Sequence, residues 1–294
     1  MPELPEVETV RRGLAELLLG QTVLAIDSQF PKSFPNAPQD VAKFVIGSQI
    51  TAVRRRAKVL LIDLSSGYSL LVHLKMTGQL VYRPNQGRGF AGGHPNDSLI
   101  GPLPDNSTRV NLKSTKGNLY FNDQRRFGWM RLLPTAQATD LDFFKKIGPE
   151  PLAADFTAAK FKARLMRRPG TTVKAALLDQ SVLAGVGNIY ADEALFAAQI
   201  HPALRVRDVP ITKLNKLFKE LQAVLNLSLA KGGSSDRNYV DAQGRKGSYL
   251  QFAKVFRRQN QPCPRCGQAI VKLRVAGRGT HICPHDQKLP KDYK

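Results

Sequence analysis

The sequence predicts an α+β protein in which an amino-terminal helix and an antiparallel β-sandwich precede a helical half and a cysteine-rich tail. Three observations support this prediction. Short strand-like runs fill residues 22–133, helical periodicity dominates from residue 156 onward, and all three cysteines lie in the last 32 residues. A length of 294 residues also suits two domains of ordinary size better than one.

The first element is predicted to be an amphipathic helix. Valines and leucines recur at helical spacing from Val7 to Leu18, with Pro5 near the first turn and Gly20 after the last. Glutamates in the opening MPELPEVE suit the positive end of the helix dipole.

The next segment is predicted to form the sandwich, which closes an amino-terminal domain at residues 1–133. Its strand-like runs are TVLAIDSQF, VLLIDL, YSLLVHL, NLYFND and WMRLL. Residues 84–107 interrupt these runs with Gly, Pro, Asn, Asp and Ser, which predicts a mobile surface loop. A proline-containing linker is expected at 134–155.

The second half is predicted to be helical over residues 156–255, with a separate tail at 256–294. The helical stretches are 156–167, 172–180, 189–198 and 211–231. GGSSDRNYVDAQGRKGSY then predicts a flexible loop, and the tail contains strand-like runs such as AIVKLRV.

The charge indicates a polyanionic partner. Lys and Arg total 44 against 23 Asp and Glu, so the formal net charge is +21, without a basic tail. Nucleic acid is the partner that this excess favours, although a merely soluble surface is the simpler alternative. No apolar run is long enough to span a membrane and no signal peptide is recognisable, so a cytoplasmic location is expected.

The extreme amino terminus offers a candidate catalytic group. A small residue after the initiator favours removal of Met1, which leaves Pro2 as a secondary amine. An α-amino group titrates near pH 8, so a useful fraction is unprotonated, and its attack on an anomeric carbon gives an iminium directly. Glu3 is then placed to move protons, and Glu6 to position the site or hold a water. The alternative is that these residues merely begin a helix.

The cysteines predict a structural zinc site. The spacing Cys263-x2-Cys266-x16-Cys283 is typical of a zinc knuckle, and a further x2 reaches Asp286. Asp286 or the adjacent His285 is the candidate fourth ligand. A weak or absent metal, with the hairpin held by packing, remains the alternative.

Several motifs in this order resemble those of the formamidopyrimidine-DNA glycosylases, bacterial enzymes that excise oxidised purines, and they span nearly the whole chain. These motifs are MPELPEVETVRRGL, AKVLLIDL, HLKMTGQL, NDQRRFGWM, DQSVLAGVGNIYADEALF, GGSSDRNYVDAQGRKGSY and QPCPRCGQAI. The resemblance implies a β-sandwich, a helix–two-turn–helix domain and a carboxy-terminal β-hairpin zinc finger. That family has a fourth cysteine where this chain has Asp286.

The resemblance assigns roles to residues of the first half. It implies that Pro2 is the nucleophile, Glu3 the general acid, and Lys58 a residue that holds a phosphate or assists at the lesion. The residues implied to fill the gap left by an extruded base are Met76, Arg125 and Phe127. Without the resemblance, Met76 and Phe127 are better interpreted as core residues and Lys58 as a solvated charge.

Further DNA contacts are implied in the second half. Asn188, at a helix start after Gly185 and Gly187, is implied to bind a phosphate. Arg237 and Tyr239 match a segment that closes over the extruded base, and Arg278 matches the arginine of the finger.

The implied activity is excision of 8-oxoguanine or formamidopyrimidines, followed by β,δ-elimination through a Schiff base. The implied partner is double-stranded DNA that contains oxidised bases or abasic sites, and the protein is expected to act as a monomer with one structural zinc ion. Two alternatives stay open. One is an enzyme of the endonuclease VIII type that prefers oxidised pyrimidines, and the other is a catalytically idle DNA-binding relative.

Overall fold

The computed structural model describes residues 2–94, 96–140, 142–234, 248–290 and 293, and it separates into two compact units. One unit comprises Met1–Lys145 and Leu229–Tyr249, and the other Lys146–Ser228 and Leu250–Lys294. The predicted α+β class, with antiparallel sheets, a helical region and a carboxy-terminal hairpin, is confirmed. The finer boundaries at residues 133, 155 and 255 stay a prediction.

The first unit is built from a long helix and two antiparallel sheets. Its helices are α1 (Leu4–Leu18), α2 (Pro38–Phe44) and α3 (Asp142–Lys145). Its strands are β1 (Val23–Asp27), β2 (Ile50–Arg56), β3 (Val59–Leu64), β4 (Tyr68–His73), β5 (Gly78–Pro84), β6 (Phe90–Gly93), β7 (Thr108–Ser114), β8 (Gly117–Asp123) and β9 (Trp129–Pro134). The sheet orders are β1-β7-β8-β5-β6 and β2-β3-β4-β9.

The core of this unit lies under α1. Val7, Val10, Leu14 and Leu18 are fully buried at the spacing that predicted an amphipathic helix, and they pack against side chains of both sheets. Burial of these side chains removes apolar surface from water and fixes the start of α1 against the strands.

Residues 84–107 contain more regular structure than a surface loop. Phe90 begins β6 and is buried, and Leu99 is buried within a 3-10 turn. Arg83 donates a hydrogen bond of 2.8 Å to the Leu99 carbonyl. The few apolar residues of this Gly- and Pro-rich stretch, such as Phe90 and Leu99, show no periodicity, so the sequence pattern indicated a loop.

The other elements are mostly helical. They are α4 (Ala158–Leu165), α5 (Val173–Leu178), α6 (Asn188–Ala198), α7 (Ile211–Ala230) and α8 (Tyr249–Phe252), followed by β10 (Val271–Val275) and β11 (Arg278–Ile282). Thr157 and Thr172 cap α4 and α5 through their side-chain oxygens. Strands β10 and β11 form an antiparallel hairpin. In the described part of the chain, none of the helices is sufficiently long and apolar for a membrane crossing.

Candidate functional site

The start of α1 buries two carboxylates behind Pro2. Glu3 is the N-cap residue, and a capping box joins it to Glu6, whose Oε2 accepts a 2.8 Å hydrogen bond from the Glu3 amide. Pro2 is buried, and Glu3 and Glu6 are each only 4% exposed. The first turn therefore holds an acid directly beside Pro2 in a fixed geometry.

Glu6 also joins this helix start to a segment more than 220 residues away in sequence. Its Oε1 accepts hydrogen bonds from the Ser234 amide at 2.7 Å and the Ser234 hydroxyl at 2.8 Å, over a separation of 228 residues. Gly233 has φ +88°, and a Cβ there would lie 3.2 Å from Glu6 Oε1. The sequence predicted that Glu6 positions the site, but it gave no sign of Ser234 as the partner.

Lys58 lies in the tight turn between β2 and β3. The turn begins at Ala57, whose φ is +52°, and Lys58 itself is only 6% exposed. Arg55 donates 2.8 Å to the Ala57 carbonyl and pairs with Glu8 of α1 at 3.1 Å. This bridge fixes the turn to the first half of α1, which Pro2 and Glu3 directly precede.

His73, at the end of β4, is a buried base that sequence reasoning missed. Burial, together with the positive charges of Lys75 and Lys58, lowers the pKa of His73 to about 3. Its Nδ1 accepts a 3.0 Å hydrogen bond from the Lys75 amide. The imidazole is therefore neutral at physiological pH, and it lies close enough to Lys58 to sense its charge.

Asp123 brings together two turns that carry three of the predicted DNA contacts. Its carboxylate accepts a hydrogen bond from the Thr77 hydroxyl, beside Met76, and one of 3.3 Å from the Arg125 amide. The Arg125 amide also donates 3.0 Å to the Thr77 hydroxyl. Asp123 is fully buried, so it organises both turns from beneath. The sequence offered no signal for this role.

The side chains on these turns face outward. Phe127 is 53% exposed, Met76 is half-buried and Arg125 is exposed. The Arg125 guanidinium lies 4.9 Å from the centre of the Phe127 ring. A large apolar side chain left exposed at such a turn is available to enter a gap in a stack of bases.

In the second unit, Gln180 shapes the turn that precedes α6. Its Nε2 donates 2.8 Å to the Val186 carbonyl, and its Oε1 accepts 2.9 Å from the Gly185 amide. Gly185 has φ +79°, a backbone conformation that glycine adopts readily. Gly187 is the N-cap residue and Asn188 begins α6, so the backbone amides of the first turn of α6 lie beside the Asn188 side chain.

The tip of the β10–β11 hairpin reaches Asn188. Arg278 is exposed and starts β11 directly after the tight turn at Ala276 and Gly277, which have φ +50° and +72°. Asn188 Nδ2 donates 3.0 Å to the Gly279 carbonyl. The predicted phosphate-binding asparagine and the residue next to the predicted finger arginine are therefore in contact.

A group of four metal-binding side chains forms the base of this hairpin. The ligand atoms of Cys263, Cys266, Cys283 and Asp286 lie within 4.8 Å of one another. The Cys266–Cys283 sulfurs are 3.4 Å apart, and Cys263 Sγ lies 3.7 Å from Asp286 Oδ2. Ligands of a tetrahedral zinc ion at about 2.3 Å lie roughly 3.8 Å apart, so this donor set fits zinc. His285, within the described residues, lies outside this group.

Two of the predicted contacts, Arg237 and Tyr239, lie outside the described residues. They stay predictions.

Three family models match the chain in sequence order. The formamidopyrimidine-DNA glycosylase N-terminal domain matches residues 1–130, the formamidopyrimidine-DNA glycosylase H2TH domain matches 147–239, and the zinc finger found in FPG and IleRS matches 260–289. The chain belongs to the formamidopyrimidine-DNA glycosylase family.

Relatives that match over nearly their whole length belong to the same family. The formamidopyrimidine-DNA glycosylase of Streptococcus thermophilus is 38% identical over 98% of this chain and 100% of its own length. That of Desulfitobacterium hafniense is 37% identical over 97% of this chain and 98% of its own length. These matches identify the chain as a DNA glycosylase and AP lyase of DNA repair.

Solved structures of the Lactococcus lactis enzyme share the fold. A mutant of that enzyme in complex with Fapy-dG-containing DNA has a TM-score of 0.86 at 33% identity, covering 98% of this chain and 100% of the other. A complex of Lactococcus lactis Fpg with abasic-site DNA has a TM-score of 0.85 at 32% identity, with the same coverage. The finger match and the Cys3Asp group together fit one structural zinc ion.

Proposed function

We propose that this glycosylase excises oxidised purines, such as 8-oxoguanine and ring-opened formamidopyrimidines, from double-stranded DNA and then cleaves the strand through a Schiff base on Pro2. The observation that carries the proposal is the capping box that fixes buried Glu3 beside Pro2 at the start of α1. The Lactococcus lactis relative has been solved with Fapy-dG DNA, which supports this substrate class.

The first step requires an unprotonated amine and a nearby acid. After removal of the initiator methionine, the Pro2 nitrogen attacks the anomeric carbon of the damaged nucleotide and the glycosidic bond breaks. Glu3 donates the proton that the departing base needs. The nitrogen loses its proton, the bond between the sugar ring oxygen and the anomeric carbon breaks, and the ring oxygen takes up a proton. The iminium that results is positively charged, because the proline nitrogen has no further hydrogen to lose.

The iminium acts as an electron sink for strand cleavage. It acidifies the adjacent sugar carbon, so loss of a proton there expels the 3′ phosphate, and a second elimination expels the 5′ phosphate. Lys58 stands on a turn fixed to α1 through Arg55 and Glu8, which suits a residue that holds the phosphate beside the reacting sugar. Zinc would be structural here, since its donor set belongs to the hairpin and supplies no step.

Extrusion of the damaged base leaves a gap that must be filled. We assign this role to the Met76, Arg125 and Phe127 side chains, which Asp123 places on adjoining turns. Phe127 would wedge between base pairs, and Arg125 would donate to the orphaned partner base. The net charge of +21 supplies the attraction for the DNA backbone.

Asn188 and Arg278 are assigned to the DNA backbone in the second unit. Asn188 Nδ2 carries two hydrogens and gives one to Gly279, so the second remains for a phosphate oxygen. The amides at the start of α6 add to the same anion site.

Borohydride trapping tests the proposal. Oligonucleotide duplexes that carry 8-oxoguanine, an abasic site or thymine glycol are incubated with the protein and borohydride, and the covalent adduct is mapped by peptide mass spectrometry. We expect trapping on the 8-oxoguanine and abasic duplexes, with the deoxyribose remnant on the nitrogen of Pro2. An adduct mapped to Lys58 would overturn the assigned nucleophile.

The same experiment separates the alternatives. Preference for thymine glycol would indicate an enzyme of the endonuclease VIII type, a possibility that the Lactococcus lactis complex with oxidised-pyrimidine DNA keeps relevant. Absence of trapping on all three duplexes would indicate a catalytically idle binder.

A further inference from the structure

The second unit contains a fully buried ion pair that the proposed chemistry does not use. Lys174 on α5 and Asp192 on α6 are both 0% exposed, and Lys174 Nζ lies 2.6 Å from Asp192 Oδ1. Removal of two charges from water is costly, and such a pair is tolerated only when further hydrogen bonds satisfy both groups. The additional partners therefore indicate what the pair holds in place.

Three consecutive residues of the finger strand β11 are among those partners. Lys174 Nζ donates 2.7 Å to the Thr280 hydroxyl and 3.3 Å to the Gly279 carbonyl. Asp192 Oδ2 accepts 3.0 Å from the His281 amide. The pair thus anchors the backbone of β11 to helices α5 and α6.

The same bonds lead directly to the two assigned phosphate contacts. The Thr280 hydroxyl, held by Lys174, donates 3.0 Å to the Arg278 carbonyl. The Gly279 carbonyl accepts from Asn188 Nδ2 at 3.0 Å as well as from Lys174. Two hydrogen bonds through the Thr280 hydroxyl therefore connect Lys174 to the backbone of Arg278, and Lys174 shares an acceptor with Asn188.

The metal ligands hold the opposite end of this strand. Arg278 follows the hairpin turn, whereas Cys283 follows Ile282 at the other end of β11. Arg278 and Cys283 are five residues apart, and an extended strand spans that separation in about 17 Å. Zinc thus fixes the base of the hairpin, and the ion pair fixes its tip.

We propose that Lys174 is a positioning residue for DNA binding. Together with Asp192 it fixes the backbone of Arg278 and Gly279 against the start of α6, so that Asn188 and Arg278 grip the DNA backbone as one unit, independently of the zinc ion. This inference rests on the proposed DNA contacts of those two residues.

Lys174→Met and Lys160→Met form a matched pair of variants. Lys160 belongs to the same unit and pairs with Asp155 at 2.7 Å, but that pair is exposed, so both variants lose one charge and one ion pair. Binding is measured on a duplex with an uncleavable abasic analogue at several salt concentrations. Zinc content is measured on the same samples, and the cleavage rate on abasic DNA is measured at saturating enzyme.

We expect Lys174→Met to weaken DNA binding by about tenfold or more, because a hydrogen bond to a charged group is worth a factor of this order. Lys160→Met should stay within about twofold, as exposed pairs contribute little. The slope of the logarithm of the binding constant against the logarithm of the salt concentration should be shallower by about one for Lys174→Met, as expected for the loss of one phosphate contact. Zinc content and the saturating rate should match those of the unaltered protein, which a general loss of structure would not allow.

A double variant shows whether Lys174 acts through the finger. Because Lys174 works by placing Arg278, Lys174→Met should add little to Arg278→Ala. Multiplying effects would overturn the inference, as would normal binding by Lys174→Met or loss of its zinc. If Lys174→Met does not fold, Thr280→Val removes the same bridge with little change in shape, and the same outcomes apply.

Failure of this inference is distinguishable from failure of the proposed function. If the unaltered protein does not bind the abasic duplex, the proposed function fails. If it binds and Lys174→Met binds equally well, only the role of Lys174 fails.

Discussion

Replacement of Glu6 by Gln is the sharpest test of how the helix start is held. The Glu6 carboxylate is 4% exposed and accepts from the Glu3 amide at 2.8 Å and from the Ser234 amide and hydroxyl at 2.7 and 2.8 Å. Gln has nearly the same shape, but its amide nitrogen is a donor only. The amide nitrogen of the glutamine must therefore face either the Glu3 amide or the Ser234 donors, and it accepts a hydrogen bond from neither.

The magnitude follows from these contacts. If the Gln oxygen stays on Ser234, the bond from the Glu3 amide is lost, at about 1.5–3 kcal/mol for a hydrogen bond to a charged group. The two remaining bonds fall to about 0.5–1.5 kcal/mol each, because their acceptor is now neutral. Relief of the buried charge offsets part of this loss, which leaves a net destabilisation of about 3 kcal/mol.

Thermal unfolding followed by circular dichroism at pH 7 measures the effect. A loss of about 3 kcal/mol corresponds to a fall in Tm of roughly 6–12 °C for a unit of this size. Glu16→Gln, at an exposed glutamate on the same helix, is the control and should leave Tm nearly unchanged. If Glu6→Gln melts within a degree of this control, the Glu6 contacts do not stabilise the helix start and the reasoning is wrong.

Two further predictions concern the metal and pH. Asp286→Cys should slow zinc transfer to a chromophoric chelator by about tenfold or more, because thiolate is the softer ligand; transfer at an equal or faster rate would contradict a zinc-bound Asp286. Since burial lowers the pKa of native His73 to about 3, the unfolded chain takes up a proton near pH 6.5 that the native protein does not. The resulting stability is present above pH 6.5 and is lost as pH falls toward 3, by about 1 kcal/mol between pH 6.5 and 5.5. Urea unfolding should show that His73→Asn loses less stability between pH 6.5 and 5.5 than the unaltered protein does. Equal losses in the two proteins would rule out His73 as the cause of the pH dependence.

Local sequence pattern was sufficient to predict features that depend on residues close together in sequence. Val7, Val10 and Leu14 recur at helical spacing, which predicted the helix that carries the amino terminus. Pro2 and Glu3 are adjacent, so their possible chemistry was readable from their types alone. Without the family resemblance, the sequence favoured Phe127 as a core residue, but its side chain is 53% exposed. No local sequence pattern marks a turn whose side chains face outward.

The spacing of the cysteines likewise determined a metal site, but not its fourth ligand. Asp286 and His285 are neighbours in sequence, and only the folded hairpin places the Asp286 carboxylate among the three sulfurs. A choice between adjacent side chains depends on their directions, which spacing does not encode.

The sequence by itself determined the order of elements, the cysteine motif, the basic charge and the placement of Pro2 next to Glu3 near the amino terminus. Tertiary structure decided which distant residues hold these groups in place. Glu6 and Ser234 are 228 residues apart, and Lys174 and Thr280 are 106 apart. Periodicity and spacing report only on neighbours along the chain, whereas contacts across such separations form when burial brings elements together and leaves each buried polar group in need of a partner.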